Sequence, residues 1–171
     1  MAEIELRTSD LQRLARDFRA AGRRDLQREM LREMRQAVRP IVPQVKAAIR
    51  ATPSRTGDQR TRKARAERPR SLRDAMARGV QARASLTGRQ VGVRIRIDPR
   101  HFPEDEKSLP RYHQGVRSRW RSRNWGRDEW KTQRPYPVFF ETIRPHVPRV
   151  QSALRRIVND YTDRLTRETT S

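Results

Sequence analysis

Apolar and polar residues alternate most regularly between Val80 and Ile97. Val80, Ala82, Ala84 and Leu86 take every second position. After the connection Thr87-Gly88-Arg89-Gln90, Val91, Val93, Ile95 and Ile97 do the same, with Gly92, Arg94 and Arg96 between them. A period of two marks half-buried strands, so the stretch predicts one β-hairpin whose turn exploits the conformational freedom of glycine. A lone two-stranded ribbon is marginal in water, and its apolar face requires a cover.

The flanking sequence supplies one. Ser9 and Gln12 form a capping-box pair ahead of a stripe through Leu11, Leu14, Ala15, Phe18, Leu26, Met30 and Met34, the spacing of a helix with one buried face. Gly22 is placed to bend or interrupt it. Pro40 and Pro43 kink or restart it before Ile41, Val45, Ala48 and Ile49 continue the stripe. A short helix starts at Ser71 and ends at Gly79, leading straight into the hairpin. A Pro-bearing loop follows Asp98, and Leu109 to Gly115 forms a helical turn or short strand. Tyr136 to Phe140 is expected as a short third strand or an extended entry, with Val138 and Phe140 alternating inward. A second long helix starts near Pro145 and Pro148 and carries Val147, Val150, Leu154, Ile157, Val158, Tyr161 and Leu165 on one face.

The expected fold is therefore α+β: a small antiparallel sheet built on the hairpin, packed against long N-terminal and C-terminal helices, in a single domain over residues 1–171. Its expected core includes Leu14, Phe18, Val91, Val93, Ile95, Phe140, Leu154 and Ile157.

Composition changes this picture in one respect. Apolar residues make up 33% of the 171 positions and charged residues 36%, so the core is thin and association with other chains is expected to add stability. The net charge of +21 implies an anionic partner, either nucleic acid or an acidic protein surface. Four lysines stand against 37 arginines. That skew fits phosphate and carboxylate recognition by guanidinium forks, and equally the codon usage of a GC-rich genome. Cysteine is absent, which removes disulfides and thiolate chemistry. The first residues lack the apolar run of a secretory signal, and no stretch reaches transmembrane length, so a cytoplasm-like compartment is expected.

The charge gathers in two extended segments. The arm of residues 52–70 is dense in arginine and has almost no large apolar side chain, so it requires a partner to order it. The loop of residues 115–134 interleaves arginine with Trp120, Trp125 and Trp130. Such interleaving serves a nucleic-acid groove, where rings stack on bases, and equally a protein interface, where aromatics are anchors. Inter-subunit or partner contacts are assigned to Arg55, Arg60, Arg62, Arg65, Trp120, Trp125 and Trp130. Arg94 and Arg96 are placed on the solvent or DNA-facing side of the sheet.

Catalytic signals are missing. His101, His113 and His146 lack metal-ligand spacing, no phosphate-cradling glycine run occurs, and Glu104-Asp105-Glu106 reads as a solvated acidic patch. A non-enzyme without cofactor is expected.

The order of elements resembles the tail-completion or head-tail joining (neck) proteins of long-tailed bacteriophages, from about Leu11 to Leu165. In that family an alanine-rich helix end precedes a P-x-x-T-G-x-L-R motif, matched by Ala47, Ala48, Pro53, Thr56 and Gly57. The leucine-arginine half is displaced to Leu72-Arg73, as though Asp58 to Arg70 were inserted. A second landmark, Y-x-x-x-x-E-x-G followed by P-x-P-F, is matched by Tyr112, Gly115, Pro135, Pro137 and Phe139, with Gln114 near the place of the missing glutamate. The resemblance implies a structural virion protein that forms a ring, commonly a homohexamer, between the portal side of the capsid and the tail. Its implied partners are copies of itself, neighbouring portal, adaptor, stopper or tail-tube proteins, and viral DNA passing through the lumen by non-specific contact. It implies no membrane association, with assembly in the host cytoplasm. The alternative is a free-standing basic protein that binds nucleic acid through its Arg/Trp-rich loops.

Overall fold

A computed structural model describes residues 3–4, 8–52, 72–86, 92–102, 107–115, 118–123 and 130–170. In chain order the elements are β1 (Glu3–Ile4), α1 (Thr8–Ala20), α2 (Arg24–Val38), α3 (Ile41–Ala51), α4 (Leu72–Gly79), β2 (Val80–Ser85) and β3 (Gly92–Ile97). A 3-10 turn (Pro99–His101) follows, then α5 (Leu109–His113), β4 (Trp120–Arg123), β5 (Trp130–Gln133) and α6 (Val138–Ile143). A second 3-10 turn (Arg144–His146) leads into α7 (Val147–Thr170). The architecture is α+β, mostly helical with a small hairpin sheet packed against helices. The chain forms two compact units, one of Met1–Val42, Gln81–Arg96 and Ile143–Ser171, the other of Pro43–Val80 and Ile97–Thr142.

The first unit is built from α1, α2 and α7 with the sheet. Gly22 does interrupt the first helix, and it does so by a specific device. Its φ of +66° is the left-handed conformation that glycine tolerates best. Arg23 N–H donates to Phe18 O at 2.9 Å and Gly22 N–H to Arg19 O at 3.2 Å, the paired bonds of a Schellman C-cap. The chain then restarts as α2, and α1, α2 and α7 pack on one another. Leu14, Phe18, Met30, Met34 and Leu154 are each 3% exposed or less, as the stripes required. Tyr161 locks the three helices together: its ring meets Phe18 edge-on at 6.3 Å and its hydroxyl donates to Glu33 Oε1 at 3.1 Å. Ile157, assigned to the core, is only half-buried.

The sheet order is β1-β3-β2. The short connection between β2 and β3 cannot make a parallel crossover, so the pair is a hairpin, as the alternation predicts. The two-residue β1 adds antiparallel on the far side of β3, with Glu3 opposite Arg94 and Ile4 opposite Val93. That makes β3 the central strand. Val93 and Ile95 are buried, while Val91 lies outside the described residues.

The second unit holds most of α3, with α4, α5, α6 and the β4-β5 ribbon. Here one expectation is corrected: Tyr136 to Phe140 is not a third strand. Residues 138–143 form α6, with Phe139 buried and Phe140 only half-buried. A tight turn at Pro137, closed by Val138 N–H donating to Tyr136 O at 2.8 Å, leads into the helix, and a side chain from α5's end caps it, as described below. Gly79 closes α4 for a steric reason. A Cβ there would stand 2.9 Å from Asp98 O, and Asp98 N–H donates to Gly79 O at 2.8 Å. Two backbones meet where the hairpin begins and ends, and only a hydrogen fits between them. The Asp98 carboxylate is buried and caps the following 3-10 turn through Arg100 N–H at 3.1 Å. Its oxygens also receive the Arg100 guanidinium at 2.8–3.2 Å.

Candidate interaction surfaces

The residues flanking both basic segments singled out in the sequence are clamped within the second unit. At the first, α3 is followed directly by Thr52, which is 4% exposed; its hydroxyl donates back to Ala48 O at 3.3 Å. An Arg73 guanidinium nitrogen, from α4, donates to the Thr52 carbonyl. A cation on the last carbonyls of a helix satisfies an orphan acceptor and complements the helix dipole. Arg50 and Asp74 form a second, exposed bridge between the same two helices at 3.6 Å. Residues on either side of segment 53–71 are thereby held side by side. Arg55, Arg60, Arg62 and Arg65 lie within that segment, outside the described residues.

At the second base, α5 stops at a turn in which Gly115 takes φ +95°. His113 O accepts from Tyr136 N–H at 2.7 Å, and the buried Gln114 Oε1 accepts from Phe139 N–H at 3.1 Å. Phe139 lies in the first turn of α6, where backbone N–H groups have no partner inside the helix. Gln114 therefore acts as an N-cap supplied from 25 residues away. Its amide nitrogen donates to His113 Nδ1 at 3.2 Å, which requires the neutral imidazole. Burial, and secondarily the charge of Arg73, push the His113 pKa down and favour that neutral form. Arg73 thus connects the two clamps electrostatically. Tyr112, Gly115, Pro135, Pro137 and Phe139, matched piecemeal in the sequence, converge at this second clamp.

The segment expected as a Trp/Arg loop contains a β-ribbon. β4 and β5 pair antiparallel, with Trp120 opposite Gln133, Arg121 opposite Thr132, Ser122 opposite Lys131 and Arg123 opposite Trp130. Alternation puts Arg121, Thr132 and Trp130 on one face, and all three are exposed, Trp130 by 56%. Arg119 and Arg134, flanking the strands, are exposed too. Trp120 is placed here by its backbone alone, and Trp125 lies outside the described residues.

Arg94 and Arg96 do not stand in open solvent as expected. Both are half-buried, their Nε atoms are enclosed, and both make contacts within the fold. β1 pairs beside Arg94, with Glu3 opposite it, so β3 is a central strand rather than an edge.

Sequence reasoning missed Thr52, Arg73, Gln114 and Asp98 as organising residues. Gln114 and Asp98 carried one legible signal each: a polar residue between a helix end and a glycine, and an Asp-Pro pair ending a strand. The Arg73 to Thr52 contact carried none. Among the described residues no group of three His, Cys, Asp or Glu side chains converges, and no helix is long and apolar enough to cross a membrane.

No protein family, no curated protein and no solved structure matches the chain.

Proposed function

We propose that the chain is a structural subunit of a bacteriophage neck, without catalysis, forming a ring that joins the DNA-filled capsid to the tail. The supporting observation is the ribbon β4-β5. It presents Trp130, 56% exposed, beside exposed arginines on a β-ribbon whose base is clamped to the body. A large exposed aromatic on a paired β-ribbon is the form of an interface anchor, contributing most once buried by a partner. The residues flanking segment 53–71 are clamped in the same unit by the Arg73 to Thr52 contact. The partners in this reading are neighbouring copies and adjacent portal, adaptor, stopper or tail-tube proteins, with DNA in the lumen.

The test is assembly. Subunits carrying Trp120→Ala, Trp125→Ala and Trp130→Ala are expected to fold yet fail to join filled heads to tails. Tailed, infectious particles built from that variant would refute the reading.

A further inference from the structure

A feature of α2 outside both clamped segments points to a second surface. Arg24, Arg28, Arg32, Arg35 and Arg39 follow one another at spacings of four, four, three and four residues, and all five are exposed. At 3.6 residues per turn they fall within a sector of roughly 80°, a single row about 22 Å long. Arg39, the C-cap, keeps helical dihedrals and so continues the row.

The acids of α2 lie beside this row and are engaged by other partners. Asp25 binds Arg23, with oxygen to nitrogen distances of 2.9 and 3.1 Å. Glu29 meets Arg164 of α7 at 3.5 Å, and Glu33 accepts from the Tyr161 hydroxyl. Among the described residues none of the five arginines forms an ion pair with a carboxylate; Arg35 donates to Leu31 O of its own helix. The carboxylates of α2 are thus engaged by Arg23, Arg164 and Tyr161, and none is paired with an arginine of the row.

We infer that this row binds the phosphate backbone of a nucleic-acid duplex without regard to sequence. Over about 22 Å one strand presents roughly six phosphates, enough to engage all five guanidinium groups. A protein partner fits the surface less well. Exposed positions of α2 are all charged or amide side chains, Gln36 among them, with no apolar residue to form the dry centre of a protein interface. Guanidinium groups aligned at regular spacing are backbone-positioning contacts that carry no base information. The inference extends the ring reading by assigning the DNA contact to one surface. It concerns the isolated subunit, so it holds or fails whether or not rings form.

The test is the salt dependence of binding to a random-sequence DNA duplex, measured on the full chain. Each phosphate contact contributes about −0.9 to the slope of log affinity against log salt. Replacing Arg24, Arg28, Arg32, Arg35 and Arg39 by glutamine, itself a good helix former, is expected to flatten the slope by about 4. The affinity ratio between 50 and 200 mM salt then shrinks by two to three orders of magnitude. A charge-matched control replaces Arg111, Arg144, Arg149, Arg155 and Arg156, all exposed elsewhere, and is expected to retain most of the slope. Circular dichroism verifies that both variants keep their helices. The inference is overturned if the row variant keeps the slope, or if the control loses as much, which makes the attraction diffuse. It is equally overturned if the row variant loses binding to polyglutamate alone, which makes the partner an acidic polypeptide. Loss of the slope change with oligomeric mass unaltered removes this inference and leaves the ring reading intact.

Discussion

Replacing Gln114 by alanine removes the side chain that caps α6 and exposes how the second clamp works. The side chain is 8% exposed, and its Oε1 takes the Phe139 N–H at 3.1 Å. Loss of a helix N-cap costs about 1 kcal/mol, and a buried N–H left without an acceptor adds a penalty on the order of 1–2 kcal/mol. The expected destabilisation is therefore about 2–3 kcal/mol, or roughly 5–10 °C in melting temperature for a chain of this size. All three tryptophans lie between residues 120 and 130, so their fluorescence during urea unfolding reports on the segment this clamp holds. Gln114→Glu keeps the acceptor oxygen and is expected to stay within about 1 kcal/mol of the parent near neutral pH, its negative charge being favourable at a helix N-terminus. It also turns the neighbour of His113 from an amide donor into a carboxylate, which should raise the imidazole pKa. A Gln114→Ala variant that unfolds at the parent's urea midpoint would refute the capping role.

Three further outcomes follow from the same contacts. Gly79→Ala places a Cβ 2.9 Å from Asp98 O and 3.0 Å from Ile97 Cγ2, so the backbone must shift; the expected cost is about 1–3 kcal/mol by thermal melting, where an unperturbed Tm would contradict the close approach. Tyr161→Phe strands Glu33 and should cost about 1 kcal/mol. Because burial first, and the Glu33 hydrogen bond second, push the Tyr161 pKa up, its neutral form favours the fold. That contribution is complete below the ordinary tyrosine value near 10 and is lost as pH rises above it, so the parent should lose stability above about pH 10 and the Phe variant less steeply. His113 has its pKa lowered, so the unfolded chain takes up the proton first. Stability should decline as pH falls below the ordinary histidine value near 6.5, and His113→Gln should blunt that decline in an acid titration followed by tryptophan fluorescence.

The sequence pattern made the long helices legible because their buried stripes are dense and periodic. Phe18, Met30, Met34 and Leu154 occupy the positions that spacing alone assigned, and Gly22 and the proline pair 40/43 mark real breaks. The hairpin was legible for the same reason, through a clean period of two. Residues 136–140 were not, because a run this short fits either period and what decides it, the Gln114 side chain, is far away in the chain. The two-residue β1 is shorter than any periodicity can reveal. Arg94, opposite Glu3 of that strand, and Arg96 are half-buried, which the alternation of β3 alone does not reveal. The ribbon hid behind its composition: Arg, Trp, Ser and Lys without apolar alternation give no strand signal, since neither face had to be read as core. The clamps were the least legible, being contacts across a loop between a side chain and a backbone atom. The arginine row on α2 was fully legible in its spacing, but its meaning depends on where Glu29 and Glu33 are engaged, which only the packing of α7 reveals.

The central proposal is that the chain joins copies of itself and its neighbours into a ring. Light-scattering mass in high salt, which screens charge-driven aggregation, tests it most directly. The account predicts a discrete oligomer near six times the 20.3 kDa of one chain, reduced to smaller species by Trp130→Ser. A monomer of 20.3 kDa at every protein concentration, unchanged by that substitution, would contradict it.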